Sequence, residues 1–213
     1  MPSIDVLIAF TLASLLLNIS PGPSNLYVMA RSIALGTKGG VVASAGLATG
    51  SLLHVLAAVF GLSAVFNHSP LLYTLIKLAG AMYLVYLGIN YWKSGALDTD
   101  AARSATKPRS LLSVFRESVI VEATNPKTAL FFIAFLPQFV VPEAAPVAQQ
   151  LLILGIIVTL SGLPCDLLIA FSSSKVCDWL IREQRRQRLL QRVAGSILVF
   201  LGCYLVAEEV RTA

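Results

Sequence analysis

Two short stretches hold side chains whose chemistry does not match their apolar surroundings. "NISPGPSNL", residues 18–26, sets Asn18, Ser20, Ser24 and Asn25 around Pro21, Gly22 and Pro23. "VEATNPKTAL", residues 121–130, carries Glu122, Asn125, Pro126 and Lys127. Each proline removes an amide donor and clashes with the preceding helical turn, and glycine adds backbone freedom. A helix restarting near Ser24 would aim bare N–H groups and the positive end of its dipole at whatever lies before it, which suits an anion. A kink alone would need one proline. Pro-Gly-Pro among four polar side chains points to a binding site. In the second stretch Pro126 biases Asn125 away from helical geometry, which exposes carbonyls and the Asn amide to a cation or ammonium group.

Glu122 and Lys127 lie five residues apart across that second break. Glu122 could sit at an interface while Lys127 snorkels toward it. If the apolar segment starts near Val114, however, Glu122 is roughly 12 Å in at helical rise. Ionisable groups at that depth are functional candidates by default. Asp166, in "SGLPCDLL", is a third. It could pair with Lys127 or Lys77, carry a coupled proton, or lie near the following loop. Lys77 is expected to snorkel. His54 could titrate or serve as a hydrogen-bonded packing group, and Gly46 and Gly50 form a GxxxG pair suited to close helix packing.

These residues need a scaffold, and the composition defines it. The 213-residue chain is 56% hydrophobic and only 13% charged, about half the charged fraction of a soluble domain. From Gly39 to Ile76 there is no Asp, Glu, Lys or Arg. Such runs exceed the roughly 20 apolar residues that span a bilayer, so the chain is an all-α integral membrane protein. Barrel strands are disfavoured because the runs are long and do not alternate. Six spans are expected: Ile4 to Ala30, Gly40 to Phe66, Leu71 to Trp92, Val114 to Val140, Val147 to Ser172 and Val193 to Ala207. The first is expected to stay as a spanning helix, because Asp5 rather than Lys or Arg precedes its apolar run.

The net charge of +5 reflects topology. The first, third and fifth loops hold 13 of the 16 basic residues, starting with Arg31 and Lys38. Positive loops face the cytoplasm, so both termini are expected outside. The basic run "IREQRRQRLLQR" reads as a positive-inside anchor that also meets anionic lipid heads. It lacks the interleaved aromatics of a nucleic-acid site, so no nucleic-acid partner is expected. Cys165, Cys177 and Cys203 are scattered and odd in number, which argues against a disulfide framework or a metal site. No HExxH or GxSxG motif indicates an enzyme, and no cofactor is expected.

The polar stretch 94–113 is the one linker. It divides the chain into three spans within 1–93 and three within 114–213. Three being odd, the halves would be inverted repeats. A shift of about 104 positions lays Leu26 on Leu130, Tyr27 on Phe131 and Ala30 on Ala134. Each half opens with a proline-broken span, so the first and fourth helices are both broken. Paired breaks in corresponding spans are the sequence pointer to a transporter's binding site. A passive channel could also use broken helices, but it would conduct without saturation or ion coupling.

"NISPGPSNL" resembles the Asn-x-x-Pro-Gly-Pro signature of the LysE/RhtB family of amino-acid exporters. The similarity continues through "GLATGSLLHVLAAVFGL", "IKLAGAMYLVYLGI", "ATNPKTALFFIAFLPQFV" and "RVAGSILVFLGCYL", over nearly the whole chain. The resemblance implies a secondary exporter in the bacterial inner membrane, driven by a proton or other ion gradient and assembled as a homodimer. It implies a central pathway lined by Asn18, Pro21, Gly22 and Pro23 with Asn125, Pro126 and Lys127. The substrate carboxylate is expected at the half-helix after Pro23, with Ser20, Ser24 and Asn25 beside it. Its ammonium group is expected near Asn125. Glu122, Lys127 and Asp166 are the expected ion-coupling groups. With only two carboxylates in the membrane, the substrate is expected to be a neutral amino acid of the threonine or homoserine type.

Overall fold

The computed structural model describes residues 4–19, 22–93, 110–141, 144–172 and 184–212, and among them every regular element is a helix. In chain order these are α1 (Ile4–Ile19), α2 (Pro23–Ala57), α3 (Ser63–His68), α4 (Pro70–Lys93), α5 (Leu111–Ala123), α6 (Pro126–Phe135), α7 (Val147–Phe171) and α8 (Gln184–Thr212). A π-helical stretch, Ala58–Leu62, joins α2 to α3, and a 3-10 turn, Leu136–Phe139, extends α6. Linker residues 94–109, together with Ser20, Pro21 and Cys177, lie outside the described residues.

Among the described residues three helical stretches are long and apolar enough to cross a membrane: Pro23–His68, Leu71–Lys93 and Val147–Phe171. Leu111–Ala123 and Pro126–Phe139, bent by 46°, pass the same test together and bring the number to four when the pair is counted as one span. Phe60, Leu71 and Phe200 are 73%, 72% and 72% exposed. An outer face this apolar is stable against lipid rather than water.

Both expected breaks are present, and each new helix begins with proline, whose missing N–H costs nothing at a first helical position. Pro23 follows Gly22, which is extended at φ −152°. Pro126 follows Asn125, extended at φ −71° and ψ 109°. The two starts are 103 positions apart, one fewer than the shift that best superposes the residue types. A third break falls at Gly36, where φ of 69° and ψ of −170° interrupt α2. L-residues rarely adopt that geometry, so glycine is required at the turn.

Arg31 departs from expectation. It is not a loop charge: its side chain is 3% exposed and its guanidinium forms an ion pair of 2.7 Å with Glu117 of α5. Glu117 supplies the compensation that lets a charge leave water. The last helix starts at Gln184 rather than near Val193. The hydropathy of the basic run hides a helix that Arg, Gln and Leu readily form. The linker ends earlier than residue 113, because Ser110 caps α5 by accepting a 3.3 Å bond from the Ser113 amide.

Glycines set the helix contacts. A Cβ on Gly46 would fall 2.5 Å from the Ser118 Cβ, and one on Gly50 would fall 2.7 Å from both the Glu122 Cβ and the Val119 carbonyl. The GxxxG pair therefore seats α2 directly on the backbone of α5. Gly155 seats α7 against Val55 of α2, and Gly88 and Gly195 bring α4 and α8 together. The core at one end is built around Phe10, Phe132, Phe135, Leu151 and Leu154, and a smaller one is built around Val28, Leu47 and Val114.

Candidate functional site

The two breaks meet across a cavity of about 60 Å3. Gly22, Ser24 and Asn25 come from the first break, and Glu122, Asn125 and Lys127 from the second. Asn18 and Asp166 complete its polar wall. Eight of the expected site residues are thus brought together, although more than a hundred positions separate some of them. Pro23 and Pro126 are not in the wall. Both are exposed, and they act by starting their helices. Ser20 and Pro21 lie outside the described residues.

Glu122 is the centre of the polar network. It ends α5, is 8% exposed and is bonded on both oxygens. Ser24 donates its hydroxyl to Oε2, and Thr128 donates Oγ1–H to Oε1 over 2.7 Å. The Asn125 amide bridges the two halves, donating to Ser24 Oγ at 2.8 Å and, longer, to Glu122 Oε2 at 3.4 Å. The His54 ring nitrogen Nε2 lies 2.9 Å from the backbone carbonyl of Glu122. A carbonyl only accepts, so Nε2 carries the hydrogen. That carbonyl also accepts from the Asn125 amide at 3.0 Å, so His54 adds a second bond at a carbonyl whose usual i+4 donor, Pro126, has no N–H.

The two helix starts differ. Asn125 caps its own helix, with Oδ1 accepting the Lys127 amide at 3.0 Å. Gly22 has no side chain to do the same. The first turn of α2 therefore turns its amides toward the cavity without a cap from its own N-cap residue, and an anion is the natural complement. Lys127 reaches this point. Its Nζ lies 3.3 Å from where a Cβ on Gly22 would stand.

Asn18 and Asn25 also hold the wall together. Asn18 Nδ2 donates to Ser161 Oγ at 2.9 Å and to the Val158 carbonyl at 3.3 Å, tying α1 to α7. Asn25 Nδ2 donates to the Asn18 carbonyl at 3.2 Å, which closes the last turn of α1 onto the start of α2. Sequence reading missed Ser51 and Thr159, whose hydroxyls bond at 2.8 Å in the wall, and Thr128 beneath Glu122. Hydroxyl residues are common in apolar helices, so nothing in their spacing marks them out. The rest of the wall is apolar, including Leu47, Phe131, Val158 and Leu163.

Among the described residues no group of His, Cys, Asp or Glu side chains is arranged to hold a metal ion. What the cavity holds is a helix start without a side-chain cap, with Lys127 beside it, and two carboxylates, Glu122 and Asp166, in a wall that is otherwise partly apolar.

The LysE type translocator model matches residues 15–209, which span both breaks and the whole cavity. The chain belongs to the LysE type translocator family. This is a family of transporters rather than enzymes. The chain is 34% identical to the homoserine/homoserine lactone efflux protein of Salmonella typhimurium, over 94% of its own length and 96% of the relative's. It is 28% identical to the leucine efflux protein of Enterobacter sp. (strain 638), over 85% of each. An uncharacterized membrane protein of Vibrio cholerae is 30% identical over 94% of this chain and 95% of its own. No solved structure matches.

Proposed function

We propose that this translocator is a secondary exporter of neutral amino acids from the cytoplasm across the bacterial inner membrane, an antiporter that exchanges substrate for protons by alternating access. The observation that carries the reading is the cavity between the two breaks. Its anion corner (the uncapped start of α2 with Lys127 beside it) and its acid corner (Glu122 and Asp166) match the two ends of a zwitterion. The family membership and the relatives' names as efflux proteins support the direction of transport.

In this scheme the substrate carboxylate binds at Gly22, Ser24 and Lys127, which moves Lys127 from ion coupling to substrate binding. The ammonium group binds toward Asp166 and Glu122. Both Glu122 oxygens already accept side-chain bonds, so Asp166 is the carboxylate for which ammonium and proton compete. Loading substrate then releases a proton, and protonation on the other side releases substrate. The apolar wall suits a neutral side chain.

Six spans organised as inverted three-helix repeats fit the helix lengths. Pro23–His68 has 46 residues, about 69 Å of helix at 1.5 Å per residue, against roughly 30 Å of hydrocarbon. The turn at Gly36 divides it into the second half of a broken first span and a full second span. With α4, the bent α5–α6 pair, α7 and α8, the count is six, with both termini outside. The homodimer is part of the proposal by family resemblance.

The test is efflux from proteoliposomes preloaded with homoserine, threonine, leucine and lysine, with and without an imposed pH gradient. Saturable, gradient-dependent loss of neutral amino acids is expected. Non-saturating loss of all four without regard to the gradient would instead identify a channel, and retention of all four by folded protein would overturn the reading.

A further inference from the structure

Two clusters of opposite chemistry lie beyond the cavity wall, on opposite sides of the breaks. At one end Tyr27 and Arg31 of α2 meet Ser113 and Glu117 of α5. Arg31 Nη2 donates to Glu117 Oε2 at 2.7 Å, and Tyr27 Oη donates to the same oxygen at 3.0 Å. Ser113 Oγ donates to Oε1 at 3.1 Å, and the Arg31 guanidinium lies 5.0 Å from the Tyr27 ring centroid. At the other end Phe10 of α1 meets the aromatic run after the second break. Its ring stacks on Phe135 at 5.4 Å and meets Phe139 edge-on at 5.0 Å.

The 103-position offset between the two helix starts relates the two junctions, though not residue for residue onto Phe135 and Phe139. It carries Tyr27 and Arg31 onto Leu130 and Ala134, and carries Phe10 and Ser14 onto Ser113 and Glu117. Each cluster joins the second half of one broken span to the first half of the other. Arg31 stands seven residues beyond Ser24, and Glu117 five residues before Glu122, so the polar cluster lies roughly 8–10 Å from the cavity floor.

We infer that the Tyr27–Arg31–Ser113–Glu117 cluster is the inner gate of the transport pathway and the Phe10–Phe135–Phe139 cluster the outer gate. The inference rests on the six-span reading, which assigns the Arg31 end to the cytoplasm. Glycine contacts hold the later part of α2 rigidly on α5 at Gly46 and Gly50. The half-helix with Tyr27 and Arg31 ends at Gly36 and is a separate rod. Polar side chains tie that rod to Glu117, and water can replace such bonds when they part, while Val28 of the rod packs in a small apolar cluster with Val114 beside them. Parting the aromatic cluster exposes apolar surface instead. The two doors therefore open against different costs, and at the inner one hydration of the parted ions offsets part of that cost.

The experiment uses a Cys-free background (Cys165, Cys177 and Cys203 replaced) with Ser51→Cys as a cavity reporter. Labelling by a charged, membrane-impermeant thiol reagent is timed in inside-out and right-side-out vesicles. Glu117→Gln is expected to speed labelling from the cytoplasmic face by roughly tenfold, the factor for losing a charge-assisted hydrogen bond, and not from the outer face. Tyr27→Phe removes the hydroxyl but leaves the Arg31–Glu117 ion pair in place, and should give a smaller change of the same sign, so the proposal stays testable if Glu117→Gln does not fold. Phe135→Ala should speed labelling from the outer face alone. Equal acceleration from both faces, no change, or acceleration on the opposite face overturns the assignment. The labelling rates do not depend on which solute is carried, so failure here is separate from failure of the amino-acid efflux assay.

Discussion

Gly50→Ala is the sharpest probe of how the site is built. A Cβ at position 50 would lie 2.7 Å from the Glu122 Cβ and 2.7 Å from the Val119 carbonyl, whereas ordinary contact begins at 3.4 Å. Two of these obstacles belong to helix α5 itself, so no rotamer change relieves them, and α2 and α5 must separate by about 0.7 Å at this level. Overpacking of this kind costs about 1–3 kcal/mol. The larger effect is on geometry, because the displaced element carries Glu122. Its link to Asn125 is already 3.4 Å long and has no slack, and the His54 bond to its carbonyl comes from the helix being pushed away. Misplacing a positioned group by about 1 Å commonly costs about a hundredfold in rate, so efflux should fall by roughly ten- to a hundredfold. The assay is initial efflux rate at matched membrane abundance, with thermal stability of the purified protein measured in parallel. Gly61→Ala is the control, since a Cβ there meets nothing within 4 Å, and it should leave both readouts unchanged. Wild-type efflux by Gly50→Ala would refute the claim that this contact sets the position of Glu122.

Three further substitutions test other parts of the molecule. Gly22→Ala sets a methyl 3.3 Å from the Lys127 Cδ and Nζ; its extended backbone accepts alanine, so stability should hold while KM rises about tenfold, read from concentration-dependent efflux. Asp166→Asn removes the group for which proton and ammonium compete, so efflux should lose its dependence on an imposed pH gradient while downhill exchange persists, measured in the same liposomes. Gly36→Ala meets no neighbouring atom, so its cost is the backbone strain of a φ of 69°, about 1–2 kcal/mol, seen as a lowered melting temperature.

The Pro-Gly-Pro and Asn-Pro-Lys stretches, the charge-free run from Gly39 to Ile76 and the GxxxG pair were legible without coordinates. Each records a local rule: a missing amide, an apolar surface that cannot face water, a backbone that needs close approach. Those rules determined where helices begin, that the chain belongs in a bilayer, and that Glu122, Asn125 and Lys127 flank a break. They did not determine which side chains face one another. Arg31 counted as a loop charge until Glu117, 86 positions away, proved to bury it. Ser51 and Thr159 carried no signal because a hydroxyl's importance depends on its partner, and that partner lies 108 positions away. Pro23 and Pro126 drew attention as ligands, yet the cavity wall holds the helix ends they create and leaves their rings outside. Hydropathy and proline act within a turn or two of chain, and their effects can be read in order. Pairing across the cavity depends on how α1, α2, α5 and α7 pack, which only the glycine contacts of the folded molecule decide.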